Sequence, residues 1–79
     1  MIIKILGSGC RKCIELADNT RKALAERGQQ ADIVKVTDFV DIAAYGVMST
    51  PALVIDEKLV SAGKVLSAQE IGELLGKAG

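Results

Sequence analysis

Apolar and polar positions along this chain fall into short blocks with different periods. Ile2-Ile3-Lys4-Ile5-Leu6 is an apolar run closed by Gly7-Ser8-Gly9, the pattern of an interior strand feeding a turn. From Cys10 to Arg27 apolar residues return at helical intervals, at Cys13, Ile14, Ala17, Leu24 and Ala25. Gly28 stands where a helix is commonly ended by a residue in the left-handed region. Ala31 to Val36 carries enough β-branched residues for a second strand, and a helical crossover makes it parallel to the first. Thr37 or Asp38 can cap a short third element that runs through Tyr45 and stops at Gly46. Ala52-Leu53-Val54-Ile55 and Lys58-Leu59-Val60-Ser61 flank Asp56-Glu57 as a hairpin, with Glu57 at a position where glycine is easier. Ser67-Ala68-Gln69-Glu70 is a capping box; Ile71, Leu74 and Leu75 then make one apolar face, and Gly76 follows. The predicted order is β-α-β-α-β-β-α, an α/β arrangement without repeat, linker or low-complexity stretch.

Composition narrows this to one small domain over residues 1–79, with 49% apolar residues to supply its core. The opening Met-Ile-Ile-Lys has no basic region followed by a long apolar one, and no stretch approaches the roughly 18 apolar residues of a membrane span. A cytoplasmic protein away from membranes is expected. Ten basic and ten acidic residues cancel, and Phe39 and Tyr45 are the sole aromatics, so nucleic acid finds neither a basic stripe nor a stacking platform.

Cys10 and Cys13 are the chain's two cysteines, two residues apart where the first strand gives way to the first helix. A bridge closing so short a loop constrains the unfolded chain by only about 2 kcal/mol, against about 4.7 kcal/mol for a 100-residue loop, so a structural staple would be placed elsewhere. The spacing suits a dithiol that opens and closes, because a helix N-terminus favours the thiolate of the first cysteine.

CxxC after the first strand, this element order, and the single proline of Ser49-Thr50-Pro51-Ala52 just before the third strand resemble the thioredoxin superfamily, more narrowly its small redox-active disulfide proteins of glutaredoxin size. The resemblance covers essentially the whole chain. It implies a thioredoxin-like fold: a four-stranded mixed sheet with the first and last helices on one face and the middle helix on the other. It implies a thiol-disulfide oxidoreductase in which Cys10 attacks, Cys13 resolves, and Pro51 is a cis-proline facing them. Thr50, Pro51 and Gly63 are then substrate-binding, no cofactor is needed beyond the redox-active Cys10–Cys13 disulfide, and no metal is held. The partners implied are protein disulfides and a disulfide reductase, with glutathione less favoured, acting on a monomer. The chain departs from its better-known relatives in having Gly9 before Cys10, Arg11-Lys12 between the cysteines, no histidine, and Lys4 but no carboxylate in the first strand.

Elementary chemistry runs beside the resemblance. A thiol of ordinary pKa, about 8.5, is mostly protonated at neutral pH, and Cys10 at the helix start is the thiol placed to ionise. Cys13, one turn deeper on the same helical face, is shielded from partners yet within reach of a sulfur bound to Cys10. Pro51 lacks an N–H and leaves the backbone of Thr50 open to an extended peptide or glutathione. Plainer readings stand beside these: small core cysteines, a strand-opening proline, a turn glycine at 63, solvated charges at Lys4, Lys35 and Lys64, and core or rim packing for Tyr45 and Met48. A different function is also open, since Gly-Ser-Gly-Cys-Arg-Lys-Cys is similar to the loop of heavy-metal-associated domains and two thiolates suffice for Cu(I). Those domains end in a strand, whereas this chain ends in a capped helix.

Overall fold

The computed structural model describes residues 1–7, 9 and 11–78. Its elements are β1 (Ile2–Leu6), α1 (Arg11–Arg27), β2 (Asp32–Val36), α2 (Phe39–Ala44), β3 (Ala52–Ile55), β4 (Lys58–Ala62) and α3 (Ala68–Ala78). The strands form one sheet in the order β2-β1-β3-β4. β1 runs parallel to β2, from Ile2 opposite Asp32 to Leu6 opposite Val36. It runs antiparallel to β3, from Ile3 opposite Ile55 to Leu6 opposite Ala52. This is the thioredoxin-like mixed sheet.

Strand alternation divides the core. Ile3, Ile5, Leu53 and Ile55 point to the face covered by α1 and α3, where Leu16, Ala17, Leu24, Ile71 and Leu75 meet them. Leu6, Ala52 and Val54 point the other way, against Ile42 and Val47 of the α2 side. Every residue of β3 is therefore buried, which is why its sequence is an unbroken apolar run.

The stripe that α1 turns to the core is Cys13, Leu16, Ala17, Thr20, Ala23 and Leu24. Ile14 is half exposed and Ala25 exposed, so two of the expected apolar positions lie off the buried face. A residue next to a buried one is turned by about 100° around the helix, and what the helix packs on fixes which of two apolar neighbours goes inside. Thr20 tolerates burial because its hydroxyl donates to the Leu16 carbonyl at 2.8 Å. The helix ends in a Schellman motif: Gly28, at φ +62°, donates to Ala25 and Gln29 donates to Leu24.

Asp38 is the cap of α2, its carboxylate accepting from Val40 N–H at 2.8 Å. Ser67 and Glu70 form the capping box of α3 reciprocally, at 3.1 and 3.2 Å. Gly76 does not end α3 as its position suggested; the helix continues to Ala78, and a Cβ at 76 would lie 3.5 Å from the Arg27 guanidinium.

The β3–β4 hairpin turns on Asp56 and Glu57 at φ +48° and +67°, left-handed values held without glycine. Their side chains supply what holds them. Asp56 accepts from Ile2 N–H at 2.9 Å, and Glu57 accepts from the Lys4 ammonium at 2.6 Å and from the Tyr45 hydroxyl at 3.2 Å. Lys4 also donates to Tyr45 at 2.6 Å. Lys4 is thus a tied charge rather than a solvated one. Its hydrogen bonds to Glu57 and then Tyr45 raise the ammonium above the ordinary 10.5, and the Lys4 hydrogen bond holds Glu57 below 4.5. Beyond the turn, Leu53 faces Ser61 while Val54 faces Leu59, which leaves Val60 as the extra residue of a bulge.

Candidate functional site

Three segments converge where β1 ends and β3 begins. Gly7, just past β1, is buried, and its N–H donates to the Val36 carbonyl at 2.9 Å. A methyl group there would overlap the Cys13 sulfur and lie 3.8 Å from the Thr50 Cβ. Cys13 and Thr50, distant in sequence, both crowd this one glycine.

Cys13 is the third residue of α1, 4% exposed. Its burial follows from the helical stripe it opens, since Leu16, Ala17 and Thr20 are the next buried positions at i+3, i+4 and i+7. Cys10, the other half of the expected dithiol, lies outside the described residues. Gly9 before it takes φ +84°, a conformation open to glycine.

The Thr50–Pro51 peptide bond is cis. Pro51 is buried and Thr50 exposed. Gly63, at φ +74°, donates to the Pro51 carbonyl at 2.8 Å, and a Cβ on it would come within 3.0 Å of the Ser49 Cβ. Thr50, Pro51 and Gly63 are thus one assembly, linked to Cys13 through the Thr50–Gly7–Cys13 packing. Met48, expected as packing, is 98% exposed beside it, because Val47 takes the buried place on that segment.

A cavity of about 20 Å³ adjoins Cys13, lined by Ile5, Gly7, Gly9, Ile14, Lys35 and Thr37. Lys35 and Thr37 reach it from β2 and the turn after it. No local pattern announces their proximity, because a strand neighbour is set by register. Gly7 read as turn punctuation, although its need to be small comes from the sulfur above it. Among the described residues no helix is long and apolar enough to cross a membrane, and no group of three or more His, Cys, Asp or Glu could hold a metal ion.

A family model described as a thioredoxin domain matches residues 1–76. A thioredoxin of Methanocaldococcus jannaschii is 44% identical over 75 residues, covering 95% of this chain and 86% of that protein. A thioredoxin of Methanothermobacter thermautotrophicus is 36% identical over 75 residues, covering 95% of this chain and 97% of the relative.

Proposed function

Since this chain belongs to the thioredoxin family and is a thiol-disulfide oxidoreductase, we propose that Cys10 and Cys13 carry the exchange, Cys10 as attacking thiol and Cys13 as resolving thiol. The observation that carries the assignment is the burial of Cys13 under Gly7 beside Thr50. A thiol so enclosed is poorly placed to meet a partner protein and well placed to meet a sulfur brought to it.

The sequence of steps follows from thiolate chemistry. The Cys10 thiolate attacks a partner disulfide, forming a mixed disulfide and releasing one partner thiolate, which takes a proton. Cys13 then attacks the Cys10 sulfur; the Cys10–Cys13 bond forms, the mixed disulfide breaks, and the second partner sulfur leaves reduced. Thr50, exposed and followed by the cis-proline, lies alongside an extended partner segment, and Gly63 keeps the Ser49–Pro51 turn in place. The partners are protein disulfides and a disulfide reductase that recharges the couple, in a reducing compartment such as the cytoplasm, where a CxxC dithiol is redox-active.

Trapping tests the roles. Cys13→Ser should accumulate mixed disulfides through Cys10, seen as dithiothreitol-sensitive adducts by mass spectrometry, while Cys10→Ser accumulates few. Equal trapping by both variants, or none by either, removes the assignment. Tight one-to-one Cu(I) binding with no turnover on any dithiol partner would favour metal carriage instead.

A further inference from the structure

The sheet ends in two edge strands, and they are guarded differently. β2 carries Lys35 in its interior, the kind of charge that keeps an edge from pairing, whereas β4 reads Lys-Leu-Val-Ser-Ala with its one charge at the first residue. Beside β4 lies a groove of about 390 Å³, walled by Val60 and Ser61 on one side and by α3 on the other. Val60 and Leu74, both half-buried, make up much of its apolar lining. The Ser61 hydroxyl is enclosed there and, among the described residues, has no hydrogen-bond partner. A buried hydroxyl is normally bonded, so the groove lacks a polar group that an occupant would bring.

The charges of the groove point to the occupant. Lys64 and Lys77 line it with Glu70 and Glu73, two against two, so a strongly acidic or strongly basic partner gains nothing overall. What the groove has instead is order. Glu70 lies in the first turn of α3 and Lys77 in the last, seven residues apart and so on one face of the helix. Turned end for end, the same helix sets Lys77 opposite Glu70 and Glu70 opposite Lys77. A pattern complementary to itself is what a two-fold contact requires. The chain as a whole adds no opposition, since its ten basic and ten acidic residues leave no net charge to hold copies apart.

We propose that the β4 edge and the α3 face beside it form the interface of a homodimer. A two-fold axis perpendicular to the sheet sets β4 antiparallel to its copy, and α3 antiparallel to its copy on the same face of the sheet. Each Glu70 then meets a Lys77 across the interface, with the Leu74 side chains midway between the charged pairs. The bulge at Val60 interrupts the outer ladder of β4, so the strands pair over a short stretch and the contact is weak. Antiparallel pairing carries the two Gly63–Pro51 assemblies to opposite ends, so neither copy covers the other's site. The inference goes beyond the redox reading and does not rest on it.

Sedimentation equilibrium in dithiothreitol, which removes any disulfide-linked pair, reads the association. The wild type should sediment at 8.3 kDa when dilute and move toward twice that mass between about 10 µM and about 1 mM, with added salt reversing the rise. Lys77→Glu sets like charges opposite each other at both symmetry-related positions and should weaken the dimer about tenfold. Glu70→Gln keeps the capping box of α3 but removes the attraction, and should weaken it about threefold. Leu59→Lys puts a charge on the exposed edge of β4 and should weaken it about tenfold. Circular dichroism checks that each variant is folded. A wild type that stays at 8.3 kDa to the highest concentration overturns the proposal and leaves the groove to another occupant. So does a dimer that any of the three variants leaves at full strength, since the contact would then lie on another face. The measurement uses no cysteine chemistry, so its outcome is separate from that of the trapping experiment.

Discussion

A hydrogen atom is all that position 7 can carry beyond its backbone, because the Cys13 sulfur occupies the space of the next carbon. The backbone of Gly7 is not left-handed, so alanine there meets no conformational objection and the cost is one of contact. Gly7→Ala should destabilise the protein by about 1–3 kcal/mol, the range of overpacked sites. Most of that loss should vanish in a Cys13→Ala background, where the sulfur is gone. Urea unfolding of the four proteins in this cycle measures the coupling, and additive losses would mean that the crowding lies elsewhere.

Among the elements, α3 starts on a reciprocal capping box of Ser67 and Glu70. Ser67→Ala removes the acceptor for Glu70 N–H and should cost about 1 kcal/mol, a fall of about 4–8 °C in Tm for a domain of this size. Thermal unfolding followed by circular dichroism checks it. The legibility of each element followed from the range of the forces behind it. The capping box, the Gly28 stop and the apolar strands were readable because each is settled by a few adjacent residues. The buried face of α1 was readable only in part: Ile14 and Cys13 are both apolar, and the sheet below selects Cys13. Gly76 follows the apolar face of α3 but nothing local forces a stop there, and the helix runs on to Ala78 with Arg27 beside it. Thr50, Pro51 and Gly63 stood out through the resemblance. Their link to Cys13 through Gly7 is a contact across 43 residues of sequence that no local pattern encodes.

Across the whole molecule, Lys4, Tyr45 and Glu57 join β1, the end of α2 and the β3–β4 turn. The pH dependence of that junction has a definite sign. Glu57 is held below 4.5 by Lys4, so its contribution is present above 4.5 and is lost as pH falls through the lower folded value. Lys4 is raised above 10.5, so its contribution is complete below 10.5 and is lost as pH rises through the higher folded value. The Tm difference between wild type and Glu57→Gln should therefore stay level through neutral pH and shrink at the acid end, below 4.5. Thermal scans across pH test this; a difference that persisted in strong acid would assign the effect to packing.

The sheet order also sets a timetable. β1 leaves the ribosome before both of its neighbours, which arrive separately: β2 is complete at Val36, β3 only at Ile55. During that interval the β-α-β unit can assemble while the side of β1 from Ile3 to Leu6, which will receive β3, still faces water. That side of β1 is an edge open to pairing only while the chain is being synthesised, and the finished protein closes it with its own hairpin, leaving β2 and β4 as the sheet's edges.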